Sequence, residues 1–477
     1  MELLIGWILL LPALTTAGLG VSWLIGWRLS ERTVARLTGT CYGLATGLVT
    51  ILCGWMVRRD LTSARLELGD WFTVHSYRFP LLLQIDRLSL PLIALSVILV
   101  GVIGAFSQRY MHREEGYLRF FFLLNLCGFG VLLLFLAGSF DLMIAGWEMI
   151  GLTSVLLIGF FQHRNDPVRS GLRVFLIYRV CDIGLLTGVA LLHHYVGAAT
   201  VDHVFTHPWP DGDSLLTGTG ATVVGLLFLL AAMGKSAQVP FSGWLPQAME
   251  GPTPSSAIFY GALSVHAGAY LLLRAQPLIE SSLTVSVAVV VVGILTAIHG
   301  TMVGRAAVDA KTSIAYASMT QLGLIFAEIG SGLEWVALLH VAGHIVVRTL
   351  QFLRAPSMLH DHHRRYSASG GVQATTGTYF ELLIPTRLRI WLYRLALERG
   401  HHETLLERMV VSPLTNLSLW LQSFEDRMAL AIFGPAKRPT YKLGQLGQID
   451  RTDFQQEAPE RRFKVHQSRR GMEGADV

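Results

Sequence analysis

Long apolar segments recur along the first three quarters of the chain, and short polar segments separate them. Each is about 17 to 25 residues long, which is the length at which an α-helix crosses the hydrocarbon core of a bilayer. None alternates polar and apolar residues as the strands of a membrane barrel do, so the pattern predicts helices. The predicted spans are 3–27, 37–57, 88–107, 119–138, 140–161, 172–196, 219–238, 256–276, 283–303, 312–330 and 335–354.

The seventh span is predicted to be a broken helix. Val239-Pro240 interrupts it, and Gly251-Pro252-Thr253-Pro254 leads into the eighth span. Proline removes a backbone donor and clashes with the preceding turn. In transporters, breaks of this kind beside a charge leave carbonyl groups free to hold water or ions. Pro240 is therefore a candidate gating residue.

The composition changes after the eleventh span. A polar segment begins at His360, and residues 386–399 and 414–432 each have the apolar face of an amphipathic helix that lies at a membrane surface. The last 40 residues are charged, which is typical of disorder. The predicted fold class is an all-α polytopic membrane protein with about eleven transmembrane helices and amphipathic helices near the carboxyl terminus.

Composition supports a membrane protein and gives it an orientation. The chain has 477 residues, of which 52% are hydrophobic and 15% charged, too few charges for a soluble protein of this length. Loops after the first, third, fifth and ninth spans carry the Arg and Lys residues, and those after the fourth, sixth, eighth and tenth carry none. The positive-inside rule then predicts an external amino terminus and a cytoplasmic carboxyl terminus. The arginine-containing loop 58–87 departs from this pattern.

Nothing in the sequence indicates a cofactor, a metal or nucleic acid as a ligand. The net charge is +5, but the basic residues are spread over loops and tail instead of forming one face. The four cysteines lie within or beside apolar segments without a CxxC motif, so a metal or iron–sulfur site is not predicted. The first span follows an acidic residue and has no basic leader, so we expect a transmembrane helix and not a cleaved signal.

Two spans carry charged groups that the hydrocarbon of a bilayer rejects. Glu148 lies in the fifth span and Lys235 in the seventh, and a charge at mid-bilayer costs about 2.5 to 3.5 kcal/mol on insertion scales. Such residues face a protein interior or a hydrated path and are functional candidates. Paired, the two would hold each other ionised; separated, Lys235 would lose its proton more readily. The alternative is that the two residues form a static buried salt bridge. Apolar packing often stabilises a protein as well as such a bridge does, so this alternative explains the two costly charges poorly.

Further polar residues extend this candidate ion path. His340, His344 and Arg348 are four residues apart and share one face of the eleventh span, where the imidazoles can titrate and the arginine can tune them. Arg179 and Asp182 are close enough along the sixth span to pair. The remaining candidates are Lys311 at the start of the tenth span and His266 in the eighth. Glu328 is interpreted as a surface group near a helix end.

Several of these residues stand in recognisable motifs. The segment from Phe140 through Gly146-Trp147-Glu148 to Gly159-Phe160 resembles the fifth span of antiporter-like membrane subunits, namely the L-type subunit of respiratory complex I and the large subunit of Mrp antiporters. Gly234-Lys235-Ser236-Ala237-Gln238-Val239-Pro240 with Gly251-Pro252-Thr253-Pro254 is similar to the seventh-span motif of that family. Other similar segments are 86–89, 110–112 and 315–323.

The resemblance implies a fold and roles for the charged residues. It implies inverted five-helix repeats, which divide the chain into helices 1–3 (1–118), a first repeat (119–276), a partial second repeat (277–355) and a tail (356–477). Glu148 and Lys235 correspond to the paired residues of the proton path. The other ion-translocation positions carried over are Arg179, Asp182, Lys311, His340 and His344. Arg348 stands where a lysine is common, and the second repeat stops after the eleventh span, without the family's broken twelfth helix.

Within this family, the chain is similar to DabB-type membrane subunits. That likeness implies a proton- or sodium-conducting subunit in the inner membrane of a bacterium, which powers inorganic carbon uptake by a cytoplasmic DabA-like zinc protein. The alternatives are a subunit of complex I, of a membrane-bound hydrogenase or of an Mrp antiporter, and a scaffold that conducts no ions. Under each reading we expect membrane lipid and a protein partner, and no active site for redox or hydrolytic chemistry in this chain.

Overall fold

Long helices form most of the described part of the chain, where a β-hairpin follows the second helix. The structure, a computed structural model, describes residues 2–27, 29–74, 77–307, 310–368, 385–398, 408 and 412–433. The elements up to Lys235 are α1 (Glu2–Leu24), α2 (Glu31–Arg59), β1 (Ser63–Val74), β2 (Tyr77–Asp86), α3 (Ser89–Tyr110), α4 (Tyr117–Leu136), α5 (Phe140–Ile158), α6 (Asn165–Val196), α7 (Val201–Val204) and α8 (Gly218–Lys235). The later ones are α9 (Trp244–Gln247), α10 (Thr253–Ser256), α11 (Ala267–Arg274), α12 (Gln276–Glu280), α13 (Leu283–Ala306), α14 (Ala310–Gly330), α15 (Glu334–Ala368), α16 (Thr386–Leu397) and α17 (Ser412–Phe433).

The predicted spans correspond to helices, with differences at the ends. In the described part of the chain, ten helical segments are long and apolar enough to cross a membrane, and Thr253–Arg274 counts as one of them. The predicted tenth span, α14, is a 21-residue helix outside that set. Helix α2 begins before predicted residue 37 because the Ser30 hydroxyl caps it, accepting a hydrogen bond from the Thr33 amide at 3.2 Å. The fold is therefore a polytopic helical membrane protein.

The hairpin between α2 and α3 was not predicted. Strands β1 and β2 pair antiparallel, with Ser63 opposite Asp86, where the sequence analysis placed only a loop. Polar Arg65 and Glu67 alternate with apolar Ala64 and Leu66, a period-2 pattern that is too short to stand out among helical segments. The predicted helical fold class is confirmed, and the hairpin is an element that the prediction did not include.

A buried ion pair anchors the hairpin to the helices. Asp86, at the end of β2, accepts hydrogen bonds from the amides of Leu88 (3.1 Å) and Ser89 (2.9 Å) and forms an ion pair with Arg274 of α11. Arg274 also donates to the Tyr270 hydroxyl at 2.8 Å. Burial alone would raise the pKa of the Asp86 carboxyl, but the charge and hydrogen bonds of Arg274, with those of Ser89, bring the pKa below its ordinary value.

The helical break differs from the predicted one. Helix α8 ends at Lys235, before Pro240, and Ala237 lies in the left-handed region at φ +49°. The prediction that proline causes the break was therefore wrong: the chain leaves the helix before the proline. A second break divides the predicted span 256–276 into α10, a π-helical segment (Ala257–Ala262), a 3₁₀ turn (Ser264–His266) and α11. Such π-segments occur frequently at functional sites.

The helices past the eleventh span also differ from prediction. Helix α15 continues through Ala368, so the polar segment from His360 extends the helix of the predicted eleventh span. The helix begins in the apolar segment and continues through the charged residues. It is longer than the apolar segment because the length of a helix depends on backbone hydrogen bonding and not on hydropathy alone. The two predicted amphipathic segments are helices α16 and α17, and α17 belongs to a separate unit that begins at Ser412. The predicted disordered tail lies outside the described residues.

Candidate functional site

A cluster of charges lies where α5 meets α6. The guanidinium of Arg179 donates hydrogen bonds to the carboxylates of Glu148 and Asp182, the latter at 2.7 Å. The indole N–H of Trp147 donates to the other Asp182 oxygen. Arg179 and Asp182 stand one helical turn apart, which is why they meet. Arg179 therefore connects the two acids, a contact between helices that the sequence analysis did not predict.

Lys235 ends α8 inside the protein, and its side chain is 1% exposed. Its ammonium lies 4.3 Å from the centroid of the Tyr178 ring and 4.9 Å from that of Trp147. Aromatic faces attract a cation through their quadrupole. Among the described residues the ammonium has no hydrogen-bond acceptor. The expected direct pair between Glu148 and Lys235 is thus absent from this state, and Glu148 is paired with Arg179 instead.

The four charged groups balance one another. When all are ionised, two carboxylates face two cations, and loss of the Lys235 proton leaves the cluster with one net negative charge. In a medium of low dielectric such an imbalance acts strongly on its neighbours. A proton that enters or leaves Lys235 therefore changes how firmly Arg179 is held between Glu148 and Asp182.

The broken eighth helix lies directly against the end of α8. The hydroxyl of Ser236, the residue after Lys235, donates to the carbonyl of Val265 at 2.6 Å, and His266 follows Val265. A second buried contact joins the hydroxyls of Ser154 on α5 and Ser264 at 3.1 Å. Neither serine contact was predicted from the sequence, because buried serines in apolar segments carry no distinct signal.

Two histidines from different elements form a hydrogen bond. His266 Nε2 and His344 Nδ1 are 2.8 Å apart, and both residues are buried. Arg348 Nε donates to His344 Nε2 at 3.2 Å. Because arginine is only a donor, His344 Nε2 must accept, so its proton is on Nδ1 and is donated to His266. Neutral His266 then carries its own proton on Nδ1, an atom with no partner in the described part of the protein.

His340 lies one turn from His344 and contacts α14. Its Nδ1 is 2.9 Å from a Glu328 carboxylate oxygen, and its Nε2 is 2.9 Å from Gln321 Oε1. The interpretation of Glu328 as a surface group was wrong, because α14 and α15 pack together and their facing polar groups pair. The polar line thus runs from His266 through His344 and His340 to Glu328. Gln321 was missed because an amide in a helix has no distinct sequence signal.

Lys311 lies at a different place. Its ammonium donates to the Thr253 hydroxyl at 3.1 Å, at the start of the broken helix, and the Tyr110 hydroxyl is also 3.1 Å from Thr253. Pro240 follows Val239, whose amide donates to the Thr296 hydroxyl at 3.0 Å. The structure therefore groups Glu148, Arg179, Asp182 and Lys235 in one cluster and His266, His340, His344 and Arg348 in another. Lys311 and Pro240 belong to neither of these groups.

Comparison with known proteins identifies the class. Residues 137–378 match the model of the NADH:quinone oxidoreductase/Mrp antiporter transmembrane family, and residues 71–121 match that of the complex I chain 5 amino-terminal region. The first match covers more than half of the chain. The chain belongs to the NADH:quinone oxidoreductase/Mrp antiporter family of multi-pass membrane proteins.

Individual relatives agree with this assignment. The chain is 34% identical over 381 residues to NADH-quinone oxidoreductase subunit L of Mycobacterium tuberculosis, covering 78% of this chain and 59% of that protein. It is 34% identical to the Neisseria meningitidis subunit L over 69% of this chain and 51% of that one. A chain of the Mrp complex from Dietzia sp. DQ12-45-1b superposes with a TM-score of 0.61 and 26% identity, over 73% of this chain and 36% of that chain. The chain spans only about half to three fifths of the length of these subunit L relatives.

These findings support the broader expectation from sequence. The family resemblance is confirmed, with complex I and Mrp subunits among the relatives. The narrower DabB-type reading, with its DabA-like partner, has no support in them. It stays a prediction, as do the division into repeats and the external amino terminus.

Proposed function

We propose that this chain is a cation-translocating membrane subunit of a complex I-like or Mrp-like assembly, and that the cation is a proton. The observation that carries the proposal is the Lys235 ammonium, buried in a membrane-spanning region without a hydrogen-bond acceptor among the described residues. A cation in that position is costly unless it titrates or changes partner. Glu148, Arg179 and Asp182 lie beside it and supply the alternative partners.

The polar line from His266 to Glu328 supplies the rest of the path. The chain at the end of α8, where Lys235 lies, is adjacent to the broken helix, because the Ser236 hydroxyl is hydrogen-bonded to the Val265 carbonyl. From there, His266, His344 and His340 lie on a line of hydrogen bonds and ring contacts that ends at Glu328. Imidazole both accepts and donates a proton, so each histidine can pass one on. Arg348 cannot release its proton, so it holds the orientation of His344 and does not relay.

A polar contact on the outside of the bundle supports an assembly. The side chains of Arg179 and Glu148 are 39% and 32% exposed in the single chain, within helices that cross the membrane. A charged pair is not stable against lipid tails. A neighbouring membrane subunit at this face would cover it, as expected for one member of a multisubunit complex in a bacterial inner membrane.

The test is ion flux through the purified complex in proteoliposomes, followed with a pH-sensitive dye and, separately, a sodium indicator. Glu148→Gln should abolish proton flux, because it removes one of the two carboxylates that balance Arg179 and Lys235 and leaves Asp182 as the remaining acid of the cluster. Glu67→Gln, an exposed change on the hairpin, is the matched control and should transport normally. Wild-type flux in Glu148→Gln would support the scaffold alternative. Sodium-dependent flux without a pH change would make sodium the transported ion.

The partner is identified by co-purification of the full chain in mild detergent. Several membrane subunits, with or without iron–sulfur proteins, would support the complex I-like or Mrp-like assembly. A single soluble zinc protein would instead support the inorganic carbon reading.

A further inference from the structure

Gly151 lies one turn after Glu148 on α5 and faces Lys235. A Cβ atom placed on Gly151 would lie 2.6 Å from Lys235 Nζ, 3.6 Å from Tyr178 Cδ2 and 3.9 Å from Arg179 Nη2. The ammonium therefore occupies the space that any other residue would fill with its side chain. The rings of Trp147 and Tyr178 bound the same space.

Another glycine of α5, Gly146, is needed for helix packing and not for the position of a side chain. A Cβ on Gly146, also on α5, would lie 2.5 Å from the Leu134 backbone nitrogen and 2.7 Å from the Gly130 carbonyl oxygen of α4. Backbone atoms of a packed helix cannot move aside, so Gly146 is required for helix packing. At Gly151 the one contact that is too short is with the end of a flexible side chain. The fold can accept alanine there, whereas the ammonium must move.

We infer that Gly151 is a positioning residue for Lys235. This inference rests on the proposed function, because it matters only if the place of the ammonium matters. The Cβ of Gly151→Ala forces Nζ from 2.6 Å to an ordinary contact distance, a shift of about 1 Å away from residue 151 of α5. Proton transfer depends steeply on geometry, and a misplacement of about 1 Å can lower a rate by about 100-fold.

The experiment measures proton flux and the unfolding temperature of the full chain in its complex. Gly151→Ala should lower flux at least about tenfold with no loss of thermal stability, since alanine favours a helix. In a Lys235→Met background, where flux is already at the level of the lipid leak, the unfolding temperature is the readout, and Gly151→Ala should not lower it. Gly43→Ala is the matched control on α2, where a Cβ would meet nothing within 4 Å, and it should behave as wild type.

Three outcomes would overturn the inference. Flux within about twofold of wild type in Gly151→Ala, while Lys235→Met abolishes it, would show that the ammonium tolerates displacement and would leave the proposed function intact. A fall in unfolding temperature like that expected for Gly146→Ala would assign the glycine to packing. Full flux in Lys235→Met would remove the proposed function itself, and the inference with it.

Discussion

Arg179, and not Lys235, holds the carboxylate of Glu148 in this structure. The same guanidinium is bonded to Asp182, so one cation from α6 connects an acid of α5 with an acid of its own helix. Lys235 is left between two aromatic rings. The arrangement is one state of a cluster in which two cations compete for two acids.

Replacing Arg179 with methionine should release both acids at once. We expect proton flux to fall by tenfold or more, which corresponds to at least about 1.4 kcal/mol in barrier height, because Glu148 and Asp182 would both be free to hold Lys235 permanently. Arg179→Lys keeps one cation but not two parallel donors, so it should recover part of the flux. Equal flux in the wild type and in Arg179→Met would contradict this role.

The sequence predicted the acid and base of the site but not their pairing. A polar side chain in an apolar transmembrane segment is costly, whichever helix the segment packs against. This made four residues identifiable from the sequence: Glu148, Lys235, His340 and His344. Their partners depend on which helices become neighbours. The His266–His344 bond joins residues far apart in sequence, and it requires a break in the eighth helix that hydropathy does not reveal. Helix number and order followed from apolar length, whereas the hairpin and the helix ends depended on short local patterns and caps.

The buried pair of Asp86 and Arg274 should dominate stability at the hairpin. Asp86→Asn leaves an arginine that is 2% exposed without its counter-charge, and breaking a buried pair costs about 3 to 5 kcal/mol in free energy of unfolding. Asp202→Asn is the matched control, because its partner Arg65 is 47% exposed and such pairs contribute about 1 kcal/mol or less. Denaturant or thermal unfolding measures both. Similar losses in the two variants would refute the distinction.

The same pair predicts the sign of a pH effect. The folded pKa of Asp86 lies below its ordinary value of 3.8, so the stabilisation is complete above that value and is lost as pH falls through the folded pKa. The difference in unfolding temperature between the wild type and Asp86→Asn should thus stay constant from about pH 5 to 8 and shrink only below about pH 4. If the difference in unfolding temperature disappeared as the pH was raised towards 8, the predicted pH dependence would be contradicted.

Arg348 should determine the tautomer of His344. Because Arg348 donates to Nε2 of His344, the His344 proton stays on Nδ1. His344 in turn donates to Nε2 of His266, so the proton of neutral His266 is also on Nδ1. Arg348→Met should give a mixture of tautomers, whereas Arg348→Lys keeps a cationic donor and should retain more of the Nδ1–H form. Nitrogen chemical shifts of labelled histidine report this directly, with exposed His163 as the internal reference. A predominant Nε2–H form of His344 in the wild type would contradict this assignment, because Nε2 could not then accept the hydrogen bond from Arg348.

Proton translocation is proposed to depend most on Lys235, and proton flux through proteoliposomes of the intact complex with Lys235→Met tests this directly. Arg109→Gln, an exposed change at the end of α3, serves as the control for loss of a positive charge. We predict that Lys235→Met assembles normally, unfolds at or above the wild-type temperature because a buried cation is removed, and shows only the passive leak of the lipid. Wild-type proton flux in that variant would contradict the account.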